Sequence, residues 1–217
     1  MASSLRLHPE ASLVRLELTG PDGYPRLSAA LLDDLAARLE PLLADPACEG
    51  IVIHGSDKCF AAGAEIAEVG TLTGATALRF PRRGQLLFEK LTWASKPVVA
   101  AVAGYCLGGG LDLALACRWR LAAPEALFGH PGATLGLLTG WGGTQRLPQL
   151  IGGAGALEML LRGEPVSAEQ ARRLGLVDEV VPSEELLARA LERARPTRAR
   201  AAATRRESGL DPDGGMN

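Results

Sequence analysis

Two short stretches place small residues where the chain would enter a helix: FAAGAEI at residues 60–66 and GYCLGGGLD at residues 104–112. Small residues at such a junction let a ligand approach the backbone, and the free N–H groups of a first helical turn attract negative charge. Each stretch could therefore lend one amide to the same bound oxygen. Two amides aimed at one oxygen form an oxyanion hole, in which a single donor is typically worth about 3–4 kcal/mol of barrier. Asp112 falls in the first turn after Gly108, Gly109 and Gly110, so a carboxylate able to move a proton would share the volume where the anion forms. Either stretch alone reads more naturally as a tight strand-to-helix turn.

Other chemistries fit less well. The segment from Gly104 to Gly108 matches G-x-C-x-G, a nucleophile-elbow pattern that exposes a thiolate. Such a thiolate needs a histidine with an acid close behind it, and His130 is followed by Pro131 and Gly132. Cys106 is accordingly read as a buried, inert thiol. Cys48, Cys59, Cys106 and Cys117 contain no C-x-x-C pair, and His8, His54 and His130 lack ligand spacing, so no metal site is expected. Neither G-x-G-x-x-G nor G-K-[ST] occurs around the glycines, which removes the phosphate chemistry of the common nucleotide folds.

The elements that must position these residues follow from periodicity. Residues 13–18 (LVRLEL) alternate as a half-buried strand, and leucines at helical spacing mark a helix over 27–43 with Ser28 as N-cap and Pro41 kinking or shortening its end. GIVIHG at 50–55 reads as a buried strand ending in a structural His54. Residues 57–69 read as a loop that becomes a helix after Gly63, residues 70–77 as a mobile segment, and 78–91 as a helix with Pro81 near its start. A strand over 98–102 leads into the glycine junction, followed by strands at 119–122 and 126–128 and a glycine-broken connection into short helices. Ser167 and Gln170 have capping-box spacing for a helix closed by Gly175; a last strand at 177–181 and a final helix near Leu186 complete the pattern. Alternating strands and helices indicate an α/β fold.

The 217 residues suit one domain. A net charge of −2 and 4% aromatic content disfavour a nucleic-acid binder. No segment approaches the roughly 20 apolar residues of a membrane span, and MASSLRLHPE lacks the apolar run of a signal peptide, so a cytoplasmic protein without a membrane partner is expected. Beyond Arg195 the periodic leucines stop, and the arginine-rich stretch and DPDGGMN read as a frayed tail.

Taken together, FAAGAEIAEV, KPVVAAVAGYCLGGGLDLALACRWRLAA, LFGHPGATLG, GWGGTQRLPQLIG and SAEQARRLGLVDEVV, in that order, resemble the enoyl-CoA hydratase/isomerase (crotonase) superfamily over residues 13–182. The resemblance implies a superhelix of repeated ββα units, a core over 1–182, and a shortened C-terminal helical region and tail over 183–217. It implies homotrimers or hexamers and an acyl-CoA thioester substrate in fatty acid metabolism, with coenzyme A entering only as part of the substrate. The oxyanion donors would be the amides of Ala64 and Gly109, and the coenzyme A arm would run along Ala62, Ala64, Glu65, Ile66 and Ala67.

Family hydratases hold water between two glutamates. The first position carries Asp112 here, one methylene shorter, and the second carries Gly132, with no side chain. Three routes stay open: Asp112 acting alone, as suffices for shifting a double bond; His130 substituting from two residues before Gly132; or another acyl-CoA reaction such as decarboxylation or thioester hydrolysis. Glu65 and Glu68 could also reach the pocket, one of them more naturally structural. A chain that has lost one glutamate could instead bind acyl-CoA without turning it over.

Overall fold

A computed structural model describes residues 2–196. The chain runs β1 (Ser4–Glu10), β2 (Leu13–Thr19), α1 (Ala29–Ala44), β3 (Gly50–His54), β4 (Cys59–Ala61), α2 (Ile66–Val69), α3 (Gly74–Thr92), β5 (Val98–Val102), β6 (Tyr105–Leu107) and α4 (Gly109–Ala116). It continues with β7 (Trp119–Ala122), β8 (Leu127–Gly129), α5 (Gly143–Arg162), β9 (Val166–Ser167), α6 (Ala168–Leu174), β10 (Glu179–Val180) and α7 (Leu186–Arg193).

The strands sort into two sheets, ordered β1-β2-β3-β5-β7-β10 and β4-β6-β8-β9. Three successive units, beginning at β3, β5 and β7, each give their first strand to the larger sheet and their second to the smaller one before turning into a helix. These are the ββα repeats that the family resemblance implied. Within the smaller sheet β4, β6 and β8 are parallel neighbours, pairing Ala61 with Cys106 and Leu107 with Gly129. Their C-terminal ends therefore open on one edge, the place where α/β folds bind ligands.

The unbroken apolar runs of β3 and β5 are explained by burial on both faces. Ile51, Ile53, Val98, Ala100 and Val102 pack with the α1 and α3 residues Leu32, Leu35, Leu39, Phe88 and Leu91. Val52, Val99 and Ala101 point the other way, into a smaller cluster with Leu121 and with Leu186, Ala190 and Ala194 from the α7 end of the chain.

Ser28 caps α1, its side chain accepting from Leu31 N–H at 3.2 Å, and the Ser167/Gln170 box and Gly175 bound α6. Other expectations need correction. β1 was not anticipated; it forms because Leu5 is buried against α1 while Ser4, Arg6 and Leu7 are exposed, a pattern with no sustained alternation to read. The loop expected over 57–69 contains β4, and the segment expected to be mobile at 70–77 already holds the start of α3, whose first turn is fixed by a Thr73/Thr76 capping box. Pro41 does not stop α1, which continues to Ala44. The last strand shortens to Glu179–Val180. Of the tail expected beyond Arg195, residues 197–217 lie outside the described residues. Among those residues no helix is long and apolar enough to cross a membrane.

Candidate active site

The two small-residue stretches meet at the C-terminal edge of the smaller sheet. After β4 the chain is pinned to Leu27, whose N–H donates to the Gly63 carbonyl at 2.8 Å and whose carbonyl accepts from Glu65 N–H at 3.3 Å. The amide between them, Ala64 N–H, takes no backbone partner among the described residues. Gly63 makes this geometry possible with a φ of +99°, which residues with a side chain rarely adopt. After β6, Gly108 N–H donates to the Gly129 carbonyl at 2.8 Å, and Gly109 N–H, first in α4, has no intrahelical acceptor. The segments touch: a β-carbon built on Gly63 would stand 3.5 Å from the Gly109 nitrogen. Two free amides thus lie side by side, and the positive end of α4 adds to the field at Gly109.

One turn into α4, Asp112 is fully buried. Its Oδ2 accepts from the Thr139 hydroxyl and from Trp141 N–H, the latter at 3.1 Å. Its Oδ1 has no hydrogen-bond partner among the described residues and faces His130 Nε2 at 3.6 Å. Burial pushes the carboxyl up to about 6, against the opposing pull of the Thr139 and Trp141 donors, the Arg146 charge and the nearby Gly143 N–H. Burial likewise pushes His130 down to about 4, so its ring is neutral near pH 7, and neither ring nitrogen has a partner among the described residues. Orphaned buried polar atoms are uncommon in native proteins and point to a functional demand.

These groups line one cavity of about 430 Å³. Ala62, Ala64, Ile66, Gly109, Asp112, His130 and Gly132 all contribute, whereas Glu65 and Ala67 are not part of its wall. Glu65 is the N-cap of α2 and Ala67 is exposed. Glu68 is structural: its Oε2 accepts from Ala29 N–H at 2.9 Å, closing the first turn of α1.

His130 does not reach the cavity by sharing one face of an extended segment with Gly132. The chain does not stay extended from His130 to Gly132; it enters a 3₁₀ turn at Pro131–Leu135. His130 is delivered instead by β8, the third parallel strand to end on this edge. The nucleophile-elbow alternative fails because Cys106 lies within β6, is fully buried, and has its thiol pKa driven far up by that burial. Among the described residues no cluster of histidine, cysteine and acidic groups could hold a metal.

Sequence reasoning missed Thr139 and Trp141. Their contact with Asp112 spans 27 and 29 residues and depends on how the connection before α5 folds back over α4, for which no local signal exists.

A sequence model for the family described as Enoyl-CoA hydratase/isomerase matches residues 8–206. The chain belongs to that family. Over 182 residues it is 41% identical to a crotonyl-CoA hydratase of Syntrophomonas wolfei, covering 83% of this chain and 70% of the relative. Over 152 residues it is 43% identical to a probable enoyl-CoA hydratase of Bacillus subtilis, covering 70% of this chain and 59% of that protein. The crystal structure of an enoyl-CoA hydratase from Bacillus anthracis superposes with a TM-score of 0.82 at 33% identity, over 89% of this chain and 75% of the other. The ββα superhelix is therefore the fold of the enoyl-CoA hydratase/isomerase family.

Proposed function

We propose that this chain is an enoyl-CoA hydratase/isomerase-type enzyme acting on an acyl-CoA thioester through an enolate. Ala64 and Gly109 N–H would hold the thioester oxygen, with Asp112 Oδ1 as the proton carrier. The observation that carries this reading is the convergence, in one cavity, of two free amides and a buried carboxylate with an unpartnered oxygen. Removing or adding a proton beside a thioester places charge on the carbonyl oxygen, and preorganised donors stabilise that charge in the transition state more than in the bound substrate.

A carboxylate pKa of about 6 suits both halves of the transfer, since Asp112 can take a proton near neutral pH and return it. In isomerisation it would remove a proton from the carbon next to the thioester and deliver it at the far end of the shifted double bond. Gly132, which offers no second acid, favours this route. In hydration Oδ1 would take a proton from water as the hydroxyl adds to the double bond, and the protonated Asp112 would then return that proton to the enolate at the carbon next to the thioester. Oδ1 and His130 Nε2, 3.6 Å apart, are close enough to hydrogen-bond one shared water oxygen, which supports this second route and gives the neutral imidazole an orienting role.

Val69, Leu72, Phe80, Leu135 and Leu138 also line the cavity, and its described lining includes no lysine or arginine. That supports an aliphatic acyl group over one carrying a carboxylate, and so speaks against decarboxylation. Assembly as homotrimers or hexamers and action in the cytoplasm complete the proposal, the former open to sedimentation measurements.

The deciding experiment offers the purified chain crotonyl-CoA and a 3-enoyl-CoA and follows product mass. Hydration adds one water, isomerisation leaves mass unchanged, and hydrolysis releases free coenzyme A. Asp112→Ala is expected to abolish turnover and preserve thioester binding; an unchanged rate overturns the assignment. Binding without turnover at high enzyme concentration identifies an acyl-CoA-binding protein instead.

A further inference from the structure

The two oxygens of Asp112 are not equivalent. Oδ2 receives the Thr139 hydroxyl and Trp141 N–H, whereas Oδ1 receives no hydrogen bond of ordinary geometry and is the oxygen facing His130. Both donors to Oδ2 come from the connection between the 3₁₀ turn and α5, two residues apart. The Thr139 methyl is itself wedged: a β-carbon built on Gly143 would stand 2.8 Å from Thr139 Cγ2 and 2.2 Å from Asp112 Oδ1. The bare α-carbon of Gly143 thus lets the threonine and the carboxylate close on each other. A carboxylate has two lone-pair positions on each oxygen, so the two donors occupy Oδ2 and direct proton exchange to Oδ1.

We propose that Thr139 is a positioning residue for proton transfer: its hydroxyl locks Oδ2 of Asp112 and thereby reserves Oδ1, turned towards His130, as the oxygen that exchanges protons with the substrate. The proposal rests on the reading of the cavity as an acyl-CoA proton-transfer site. It adds a residue whose contribution is electronic as well as steric, because a donor to the carboxylate favours its charged form. Beside the Trp141 N–H on Oδ2, the other groups that bear on this carboxyl are His130 after β8, Arg146 and the Gly143 N–H on α5, and the Cys106 thiol on β6. Of these only the Trp141 N–H hydrogen-bonds Oδ2, so the Thr139 contribution can be removed separately.

The test titrates the Asp112 carboxyl by carbon-13 NMR of the aspartate-labelled full chain, its resonance assigned by loss in Asp112→Asn. Thr139→Val keeps the shape and removes the hydroxyl; Thr139→Ala does so with a smaller side chain should the valine disturb folding; Thr139→Ser keeps the donor. The native carboxyl is expected to titrate near 6, the valine and alanine variants above it, and the serine variant with the native protein. The kcat/KM of the valine variant on whichever acyl-CoA the chain turns over should fall at least about threefold at pH 6 and recover towards high pH, with KM unchanged. A valine midpoint equal to the native one, or a serine midpoint displaced as far as valine, overturns the proposal. The NMR result stands whether or not the chain turns over an acyl-CoA. Failure of the functional reading, seen as no turnover by native protein, is thus distinguished from failure of the Thr139 assignment.

Discussion

The indole of Trp141 lies against the α-carbon of Gly109: a β-carbon built there would stand 2.2 Å from Cζ3 of the ring. The backbone of the same tryptophan donates to Asp112, so one residue abuts a candidate oxyanion donor with its side chain and holds the candidate acid with its N–H. Its ring is held in turn by Phe80, at 5.3 Å between centroids, and edge-on by Phe88 at 5.9 Å.

Gly109→Ala therefore cannot be absorbed by a simple ring shift. Overpacking of this kind costs about 1–3 kcal/mol, and displacing Trp141 also moves the carboxylate. The expected result is a lower Tm and a fall in turnover of roughly 100-fold, the scale reached when reacting groups are misplaced by about an ångström. In a Trp141→Leu background the added methyl has room, so a double-mutant cycle in stability should give a coupling of about 1 kcal/mol or more. Additive losses would show that the ring is not what requires glycine at 109.

Stability should respond to pH through Asp112 and His130 in opposite senses. The folded carboxyl is raised from 3.8 to about 6, so between those values the folded state holds a proton that the unfolded state has lost, and stability falls as pH rises. The folded imidazole is lowered from 6.5 to about 4, so between those values the unfolded state holds the extra proton, and stability rises with pH. Across roughly pH 4 to 6 the two nearly cancel, each amounting to something on the order of 3 kcal/mol over its whole window. Urea denaturation should expose each one singly. Relative to native protein, Asp112→Asn should gain stability as pH rises from 4 to 6, and His130→Gln should lose it. Parallel profiles for all three proteins would mean that the two groups titrate normally in the fold.

The junction at residues 108–112 became legible as a site only when paired with the second small-residue stretch at 60–66, whereas the long leucine pattern of α1 and the capping box of α6 were direct. The strands β4 and β6 were harder, being three residues each. No period can be read from three residues, yet their parallel pairing is what brings Ala64 beside Gly109. Thr139 was invisible for a related reason: its role is set by a fold-back across 27 residues, and a threonine in a glycine-rich connection has no local signature. Gly74 and Thr73 looked like a mobile stretch by composition, but tertiary packing of Phe80, Leu87 and Phe88 extends the helix back to them.

Glu68 serves as a control for the site. Its carboxylate accepts from Ala29 N–H, an otherwise orphaned donor at the start of α1, and it is no part of the cavity wall. Glu68→Ala should cost about 1 kcal/mol in denaturant stability, the usual value of a lost helix cap, with kcat/KM within about twofold of native. A large loss of turnover with stability unchanged would bring Glu68 into the chemistry.

Gly132→Glu asks most directly which proton route the chain uses. Gly132 does not have a positive φ, so a side chain is allowed by the backbone, and its β-carbon would meet the Leu137 carbonyl at 3.1 Å. Leu135, Leu137 and Leu138 are exposed, so that segment can yield by the few tenths of an ångström required. The new carboxyl would enter a cavity that already holds Asp112, and two carboxyls sharing a dry site do not both ionise easily. One would stay protonated near neutral pH and could supply the carbon next to the thioester while the other acts on water. The variant should raise hydration of crotonyl-CoA relative to isomerisation of a 3-enoyl-CoA by at least about tenfold, a conservative floor below the roughly 100-fold at which a well-positioned acid or base begins. The gain should vanish when Asp112→Ala is added. A folded variant with an unchanged ratio would mean that His130 already provides the second function, since a further acid would then have no step left to accelerate.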